Sequence, residues 1–339
     1  MTNPASTEKQ SMLAGAYLGV GKIEAVERDI PTANAGEVII KVARAGICGT
    51  DMHTYLHGGF MPEGMTIGHE FSGTICAVGD GVSDIDIGHR VTANPMHDHI
   101  GLFTDGAFAE YLRLPNARLD HTVFALPELV NDEQAALVEP LAVALRGINY
   151  CQIDQDSTVL IQGLGTIGLC ALLIAKQRGV KQVIAVDRAG CRLELAGKLG
   201  AITHELGSEG LESLLIAHFG SQQGLIPGPK LGLVIDATGN EAALAQGINL
   251  LAPRGQLLVL GTYAAPITLD MTFLVAKELK MFGSLAYEQE FPAALALIAT
   301  GEVDVLPLIS HRFPLLAIDQ AFAQQAKADE SIKVILMMD

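Results

Sequence analysis

The chain has 339 residues, of which 49% are hydrophobic and 36 are glycine. This length exceeds one ordinary hydrophobic core and predicts two domains, and the apolar content excludes a disordered chain. A formal net charge of −16 argues against a nucleic-acid partner, because phosphate groups need cationic neutralisation.

The cysteines and the N-terminal segment indicate the cellular compartment. Five cysteines are scattered at positions 48, 76, 151, 170 and 191 without the spacing of a disulfide framework, which favours a reducing compartment. Residues 1–11 are polar, contain no apolar signal segment, and are expected to form a loose extension. We therefore expect a cytoplasmic protein without a membrane partner.

The first part of the chain, up to about residue 120, reads as short strands divided by glycine turns. The strand-like stretches lie at 37–48, 71–79, 89–95 and 107–114. This spacing predicts a small β-barrel or sandwich. Asn131 and Asp132 then favour the start of a helix, and Pro140 predicts a kink that aims the Glu139 carboxylate away from the helix wall.

From about residue 152, strands alternate with helical stretches, which predicts an α/β fold with a doubly wound parallel sheet. The predicted strands are 158–162, 182–186, 231–236, 256–261 and 280–284. Beyond Tyr287, a helix and short strands are expected to return to the first domain. The predicted domains are 1–150 with 288–339, and 151–287.

A G-x-G-x-x-G fingerprint follows the first of these strands and opens a helix, the context typical of dinucleotide binding. Gly163 permits the tight turn, Gly165 allows backbone to approach a diphosphate, and Gly168 lets helix and strand pack closely. Asp187 follows at 187 − 168 = 19 positions, where a carboxylate accepts ribose hydroxyls and repels a 2′-phosphate. NAD is therefore predicted over NADP, although Arg188 weakens this exclusion. The remaining predicted cofactor contacts are Thr166, Ile167, Thr238 and Gly261.

Two alternatives to this interpretation exist. Residues 158–175 are apolar enough to resemble a membrane span, but a central strand and its helix in an α/β protein are apolar for the same length. The second alternative is a βαβ unit that binds no ligand.

A second set of residues has the chemistry of a metal site. Cys48, His69, Glu70 and Glu139 offer a thiolate, an imidazole and carboxylates, all of which zinc accepts. A scattered, mixed set predicts an open, catalytic zinc site, whereas structural sites are closed and richer in cysteine. Taken singly, Cys48 is more often a small buried hydrophobic residue, His69 a turn residue with satisfied hydrogen bonds, and Glu139 a carboxylate on a helix surface.

The sequence as a whole resembles the zinc-containing medium-chain alcohol and polyol dehydrogenases from about Met12 to the C-terminus. The motifs that carry the resemblance are GICGTDMH, GHEFSG, VGDGV, GAFAEY, EPLAVALRG, GLGTIG and HRFPLLAIDQAF. Within the family the chain is most similar to the sorbitol, threonine and butanediol dehydrogenase branch. The resemblance implies a GroES-like β-barrel catalytic domain joined to a Rossmann domain.

The family's chemistry implies a role for each of these residues. Cys48, His69 and Glu70 are implied to bind the catalytic zinc, with Glu139 as a fourth or outer ligand that exchanges with water. Zinc then lowers the pKa of the bound alcohol, which gives up hydride to the nicotinamide. The residues implied to assist are Thr50, which accepts the alcohol proton, His53, which receives it by way of the cofactor ribose, and Asp51, which orients His69.

The chain also departs from the family. The four-cysteine lobe that holds a structural zinc in many members is replaced by a shorter segment with His97, Asp98 and His99, so we predict one catalytic zinc and no structural zinc. His97, Asp98 and His99 could bind another metal, but alternating histidines in an exposed loop are more often solvated. His89 replaces the usual aspartate of a G-D-R-V turn, and Ala286 stands where many polyol members have arginine.

The leading hypothesis is an NAD-dependent dehydrogenase that oxidises a secondary alcohol of a polyol, cyclitol or sugar alcohol. The aromatic residues expected to line the substrate cleft are Tyr55, Phe60, Phe108 and Tyr287. The alternatives are a threonine dehydrogenase, a simple secondary-alcohol or diol dehydrogenase, and a non-catalytic relative of the same fold. A homodimer or homotetramer is expected through strand 280–284 and the apolar stretch 267–274.

Overall fold

The computed structural model describes residues 11–59, 61–224 and 226–338. By their contacts the residues divide into two units. The first unit holds the chain up to Leu137, His311–Ala326 and the chain from Val334 onward, and the second holds Val138–Ser310 and Lys327–Lys333. The domain boundaries expected from the sequence stay a prediction.

The elements of the described residues up to Leu137 are mostly strands. They are β1 (Ser11–Tyr17), β2 (Ile23–Asp29), β3 (Val38–Gly46), α1 (Gly49–His57), β4 (Glu70–Val78), β5 (Arg90–Ala93), β6 (Tyr111–Leu114), β7 (Val123–Ala125) and α2 (Asp132–Ala136). Residues 1–10 of the expected loose extension lie outside the described residues, and Ser11 belongs to the first strand, so the prediction was wrong for Ser11.

Strands and helices then alternate before the chain returns to the first unit. The elements are α3 (Val138–Asn149), β8 (Thr158–Gln162), α4 (Thr166–Gln177), β9 (Gln182–Asp187), α5 (Gly190–Lys198), β10 (Ile202–Glu205), α6 (Leu211–Phe219), β11 (Ser221–Gln222), β12 (Gly228–Pro229), β13 (Leu233–Asp236), α7 (Glu241–Leu250), β14 (Gln256–Val259), α8 (Thr272–Ala276), β15 (Lys280–Gly283), α9 (Glu290–Ala299), β16 (Ile309–Pro314), α10 (Ile318–Gln325) and β17 (Lys333–Met337). Short 3-10 helices lie at Leu306–Leu308 and Leu315–Ala317.

The first unit is built on an antiparallel sheet in the order β16-β17-β3-β4-β5-β7, with β6 paired to β3. The register of β3 against β4 shifts twice, at Ile39/Ile40 and at Val42/Arg44. Such bulges bend and twist a strand, which lets a sheet curve around a core. Aromatic residues Phe71, Phe108 and Phe322 are buried in that core together with branched aliphatic side chains.

The second unit is built on a parallel sheet in the order β10-β9-β8-β13-β14-β15 within the described residues. Strands β8 and β13 are central and apolar, which is typical of a sheet covered by helices on both faces. The predicted fold class, a GroES-like barrel joined to a doubly wound Rossmann sheet, is confirmed. The sequence missed β10 because Ile202–Glu205 is a short, half-exposed edge strand with polar residues.

The helix predicted after Asn131 is two helices. Asn131 caps α2, and its side chain accepts the N–H of Gln134 at 2.9 Å. The chain breaks at Leu137, and α3 begins at Val138. The predicted kink at Pro140 was wrong, because Pro140 lies in the first turn of α3, where its missing N–H is not needed.

No helix among the described residues has the length and apolarity needed to cross a lipid bilayer. The apolar stretch 158–175 is divided between β8 and α4.

Candidate metal centre and dinucleotide site

Cys48 immediately precedes α1 and is held by the first turn of that helix. Its backbone N–H donates to the Asp51 carboxylate at 2.9 Å, and its Sγ lies 3.8 Å from Oγ1 of Thr50. The Cys48 side chain is half-buried. The hydrogen bond to Asp51 therefore fixes the backbone from which the thiol projects.

Two close contacts fix His69 and Glu70. Gly68 has φ of +102° and packs against the ring of Phe108, where a Cβ would collide. Glu70 begins β4 opposite Gly46, and a Cβ on Gly46 would collide with the Glu70 carboxylate. His69 and Glu70 are only 5% and 1% exposed, so neither side chain has room to turn away.

Asp51 connects two members of this group. Its Oδ2 accepts the Cys48 N–H, and its Oδ1 lies 3.6 Å from Nδ1 of His69. Asp51 is fully buried. A carboxylate beside Nδ1 orients the imidazole and leaves Nε2 as the nitrogen that faces a metal.

The ligand atoms of Cys48, His69 and Glu70 all lie within 4.8 Å of one another. Among the residues that the structure describes, no other group of three or more such side chains converges in this way. One thiolate, one imidazole and one carboxylate make a donor set that fits zinc and leaves a fourth position open. The three residues therefore have the composition of a catalytic zinc site.

Three other residues were predicted to take part in catalysis. Thr50 and His53 lie in α1, which follows Cys48, and Glu139 lies in the second unit. Thr50 is half-buried in the first turn of α1, and His53 is exposed, with its ring centroid 5.1 Å from that of His57. Glu139 is buried in the first turn of α3, in the second unit. Their roles in proton transfer and metal binding stay predictions.

The predicted substrate-lining residues occupy different environments. Tyr55 is half-buried, with its ring centroid 5.2 Å from that of Phe322, and Phe108 is fully buried, 5.9 Å from the same ring. Tyr287 is buried in the second unit. Phe60 lies outside the described residues. Contact of these four residues with a substrate stays a prediction.

The glycine fingerprint forms the turn between β8 and α4. Gly163 has φ of +87°, and a Cβ on Gly168 would collide with the Gly163 carbonyl. Gly165 is the N-cap of α4, and Thr166 and Ile167 lie in its first turn. The first N–H groups of a helix have no acceptor within the helix, and diphosphate-binding turns use this property.

Asp187 ends β9 and lies beside this turn. Its Oδ2 accepts the N–H of Leu164 at 2.6 Å, and its Oδ1 accepts the N–H groups of Arg188 and Ala189 at 2.7 and 2.9 Å. Nη1 of Arg192 lies 3.9 Å from Oδ2, whereas the Arg188 side chain is exposed. Asp187 therefore shapes the fingerprint turn itself, a contribution that spacing alone did not predict.

The segment that replaces the four-cysteine lobe is held by its own hydrogen bonds. Asp98 accepts the side-chain amide of Asn116 at 2.7 Å, and the exposed His97 ring lies 5.2 Å from that of His121. His99 is exposed and has φ of +53°. The expected absence of a structural zinc stays a prediction.

Sequence reasoning missed Gly46 and Asp236. Gly46 is the residue against which the Glu70 carboxylate packs, and the strand pairing that creates this contact is not visible in the sequence. Asp236 is a fully buried carboxylate at the end of β13. The sequence signal that could have identified Asp236 was an acidic residue at the end of an apolar strand.

Comparison with known proteins agrees with this geometry. Residues 34–127 match the alcohol dehydrogenase GroES-like domain, and residues 166–300 match the zinc-binding dehydrogenase family. The starvation-sensing protein RspB of Escherichia coli is 32% identical over 85% of this chain and 88% of its own length. The sorbitol dehydrogenase of Halalkalibacterium halodurans is 31% identical over 94% of this chain and 96% of its own.

A solved structure is similar over nearly the whole chain. The rspB alcohol dehydrogenase of Escherichia coli, complexed with NADH, superimposes with a TM-score of 0.86 at 29% identity and covers 97% of this chain and 100% of its own. The chain belongs to the zinc-containing medium-chain dehydrogenase family. It is accordingly an oxidoreductase that acts on small-molecule alcohols.

Proposed function

We propose that this enzyme is an NAD-dependent zinc dehydrogenase that oxidises a secondary alcohol within a polyol, cyclitol or sugar alcohol. The observation that carries the proposal is the convergence of Cys48, His69 and Glu70 beside the buried Asp51. Similarity to a sorbitol dehydrogenase along 94% of the chain supports a polyol over a simple alcohol. A non-catalytic relative would have no need of a complete ligand set.

The proposed chemistry divides between the bound groups and the protein. Bound zinc supplies Lewis acidity that lowers the pKa of an alcohol, and bound NAD supplies the hydride acceptor. Cys48, His69 and Glu70 hold the ion, with Glu139 as a proposed further ligand. The Thr50 hydroxyl would accept the alcohol proton as it releases its own, and the exposed His53 would pass a proton to solvent.

A substrate panel tests this function directly. Sugar alcohols, cyclitols, threonine and butanediols are offered with NAD and with NADP, and formation of reduced cofactor is followed by absorbance. We expect the highest kcat/KM with a polyol and NAD. If only threonine or a butanediol were turned over, that compound would replace the polyol as the proposed substrate. Inactivity towards every alcohol would contradict the proposal.

The preference for NAD is proposed from Asp187. Its carboxylate is buried beside the fingerprint turn, where a 2′-phosphate would meet negative charge. Asp187→Asn keeps the size but removes the charge, so we expect KM for NAD to rise about tenfold and the NAD/NADP preference to shrink. Steady-state kinetics with both cofactors measures this, with Asp156→Asn, at an exposed carboxylate, as the control. An unchanged NAD/NADP ratio would contradict the assignment.

We further propose that two copies associate through β15. Within the described residues β15 is the last strand of its sheet, and the adjacent α8 has no buried residue. Val275, Met281 and Leu285 are 73%, 40% and 79% exposed. The unpaired backbone groups of an uncovered edge strand can pair with a second chain, and exposed apolar side chains favour the same contact.

A charge at this edge should separate the copies. Val275→Glu is expected to move the mass in solution, measured by light scattering, from a dimer or larger assembly towards the monomer. Leu129→Glu, at an 85% exposed position of the first unit, serves as the control. A monomeric unmodified protein, or an assembly unaffected by Val275→Glu, would contradict the interface.

A further inference from the structure

The buried carboxylate of Asp236 ends β13, in the centre of the parallel sheet. Its Oδ1 accepts the Thr238 hydroxyl at 2.5 Å and the Thr238 N–H at 3.2 Å. Its Oδ2 accepts the Tyr263 hydroxyl at 2.6 Å. Hydrogen bonds to an ionised acceptor are short and strong, so both carboxylate oxygens are held in place.

Asp236 thereby connects two turns of the second unit. Thr238 belongs to the turn after β13, and Tyr263 to the turn after β14. The Asp236 carbonyl also accepts the N–H groups of Leu260 and Gly261, at 2.8 and 3.0 Å. Burial and the negative charge of Asp236 raise the pKa of Tyr263, so its hydroxyl stays protonated and remains a donor.

The two turns are in direct backbone contact. A Cβ on Gly239 would collide with the Thr262 carbonyl, and a Cβ on Gly261 would collide with the backbone nitrogen of Gly239. Packing this close tolerates little displacement, so a change in one turn moves the other. The Asp236 carboxylate bonds a side chain from each turn, so it contributes to fixing their relative position.

These turns also touch the glycine fingerprint. A Cβ on Gly163 would lie 2.9 Å from both the Ala237 carbonyl oxygen and the Thr238 side chain. Strands β8, β13 and β14 are parallel neighbours, and ligands of doubly wound folds bind outside the carboxyl ends of such strands. Asp187 is the last residue of β9 and therefore lies at the same carboxyl edge of this sheet, on the other side of β8 from β13.

We propose that Asp236 and Tyr263 are positioning residues that hold residues 237–240 and 261–263 for the nicotinamide half of the cofactor. This inference rests on the proposed NAD-dependent function. Asp187, the residue proposed for the adenosine half, hydrogen-bonds the fingerprint turn and the residue after β9, not residues 237–240 or 261–263. The two halves of the cofactor would therefore depend on different carboxylates.

Two ligands distinguish these halves experimentally. NADH contains both, whereas ADP-ribose lacks the nicotinamide. For Tyr263→Phe we expect the Kd of NADH to rise about tenfold, the scale of one lost hydrogen bond to a charged group, with the Kd of ADP-ribose unchanged. Calorimetric titration of the full chain measures both constants. Tyr150→Phe, at a tyrosine 44% exposed in the same unit, is the matched control.

A second variant keeps the test decisive if Tyr263→Phe does not fold. Thr238→Val removes the other hydroxyl that donates to Asp236 and keeps the side-chain shape. As for Tyr263→Phe, the Kd of NADH is expected to rise about tenfold while the Kd of ADP-ribose stays unchanged. Equal weakening of NADH and ADP-ribose would indicate a general structural role and overturn the proposal, as would unchanged binding of both. An unmodified protein that binds neither ligand would instead overturn the proposed cofactor, and the positioning role with it.

Discussion

Cys48→Ala is expected to lower kcat/KM at least about a thousandfold and to abolish the zinc binding proposed for this site. The reason is the ligand geometry, since Cys48 supplies one of the three atoms that lie within 4.8 Å of one another. Lewis-acid stabilisation is worth several kcal/mol, and each 1.36 kcal/mol is a factor of about ten in rate. Metal analysis and steady-state kinetics on the same preparation measure both effects.

Another cysteine provides the control for this change. Cys76 also lies in the first unit, half-buried, with its Sγ 3.4 Å from the Ile39 carbonyl oxygen and outside the metal cluster. Cys76→Ala should keep both zinc and turnover. If Cys48→Ala retained full turnover, the proposed mechanism would be wrong, even if the protein still contained metal elsewhere.

Gly46→Ala is expected to lower activity about ten- to a hundredfold without removing any ligand. Its new methyl group would occupy the space of the Glu70 carboxylate, which has nowhere to go because Glu70 is 1% exposed. Losses of this size are typical when a contact that orients a metal ligand is disturbed. The zinc affinity, measured by competition with a chelator, should fall together with kcat/KM.

The control is a glycine with open space around it. Gly228 lies in β12 with no neighbouring atom within 4 Å of an added Cβ, so Gly228→Ala should behave like the unmodified protein. Thermal unfolding separates the expected effect from loss of fold. Normal zinc affinity and normal turnover in Gly46→Ala would show that Glu70 is not constrained as the structure indicates.

The periodic part of the fold was predictable from sequence. Strand β8 was predicted with its exact bounds, and β9 and β14 within one or two residues, because buried parallel strands are short apolar runs bounded by turn residues. The exposed edge strand β15 was predicted within one residue. The break at Leu137 was not predictable, since α2 and α3 together read as one amphipathic helix with a proline. Pro140 suits a first helical turn as well as a kink, and sequence does not distinguish the two.

The metal-binding residues of the site could be predicted from sequence, but the contacts that hold the site residues in place could not. Cys48, His69 and Glu70 could be chosen by ligand type and by resemblance, and the structure brings their atoms together. The packing of Gly46 against Glu70 depends on which residues of β3 and β4 face each other. The link from Asp236 to Tyr263 joins residues 27 positions apart. Such contacts follow from strand register and turn packing, which short sequence patterns do not specify.

X-ray absorption at the zinc edge of the purified protein tests the central claim most directly. One zinc per chain is predicted, with a single sulfur ligand at about 2.3 Å and nitrogen or oxygen ligands at about 2.0–2.2 Å. Cys48 would supply the sulfur, and His69 and Glu70 would supply the lighter atoms. A shell of several sulfur atoms, or a protein that holds no zinc when purified in its presence, would contradict an open catalytic site at these residues.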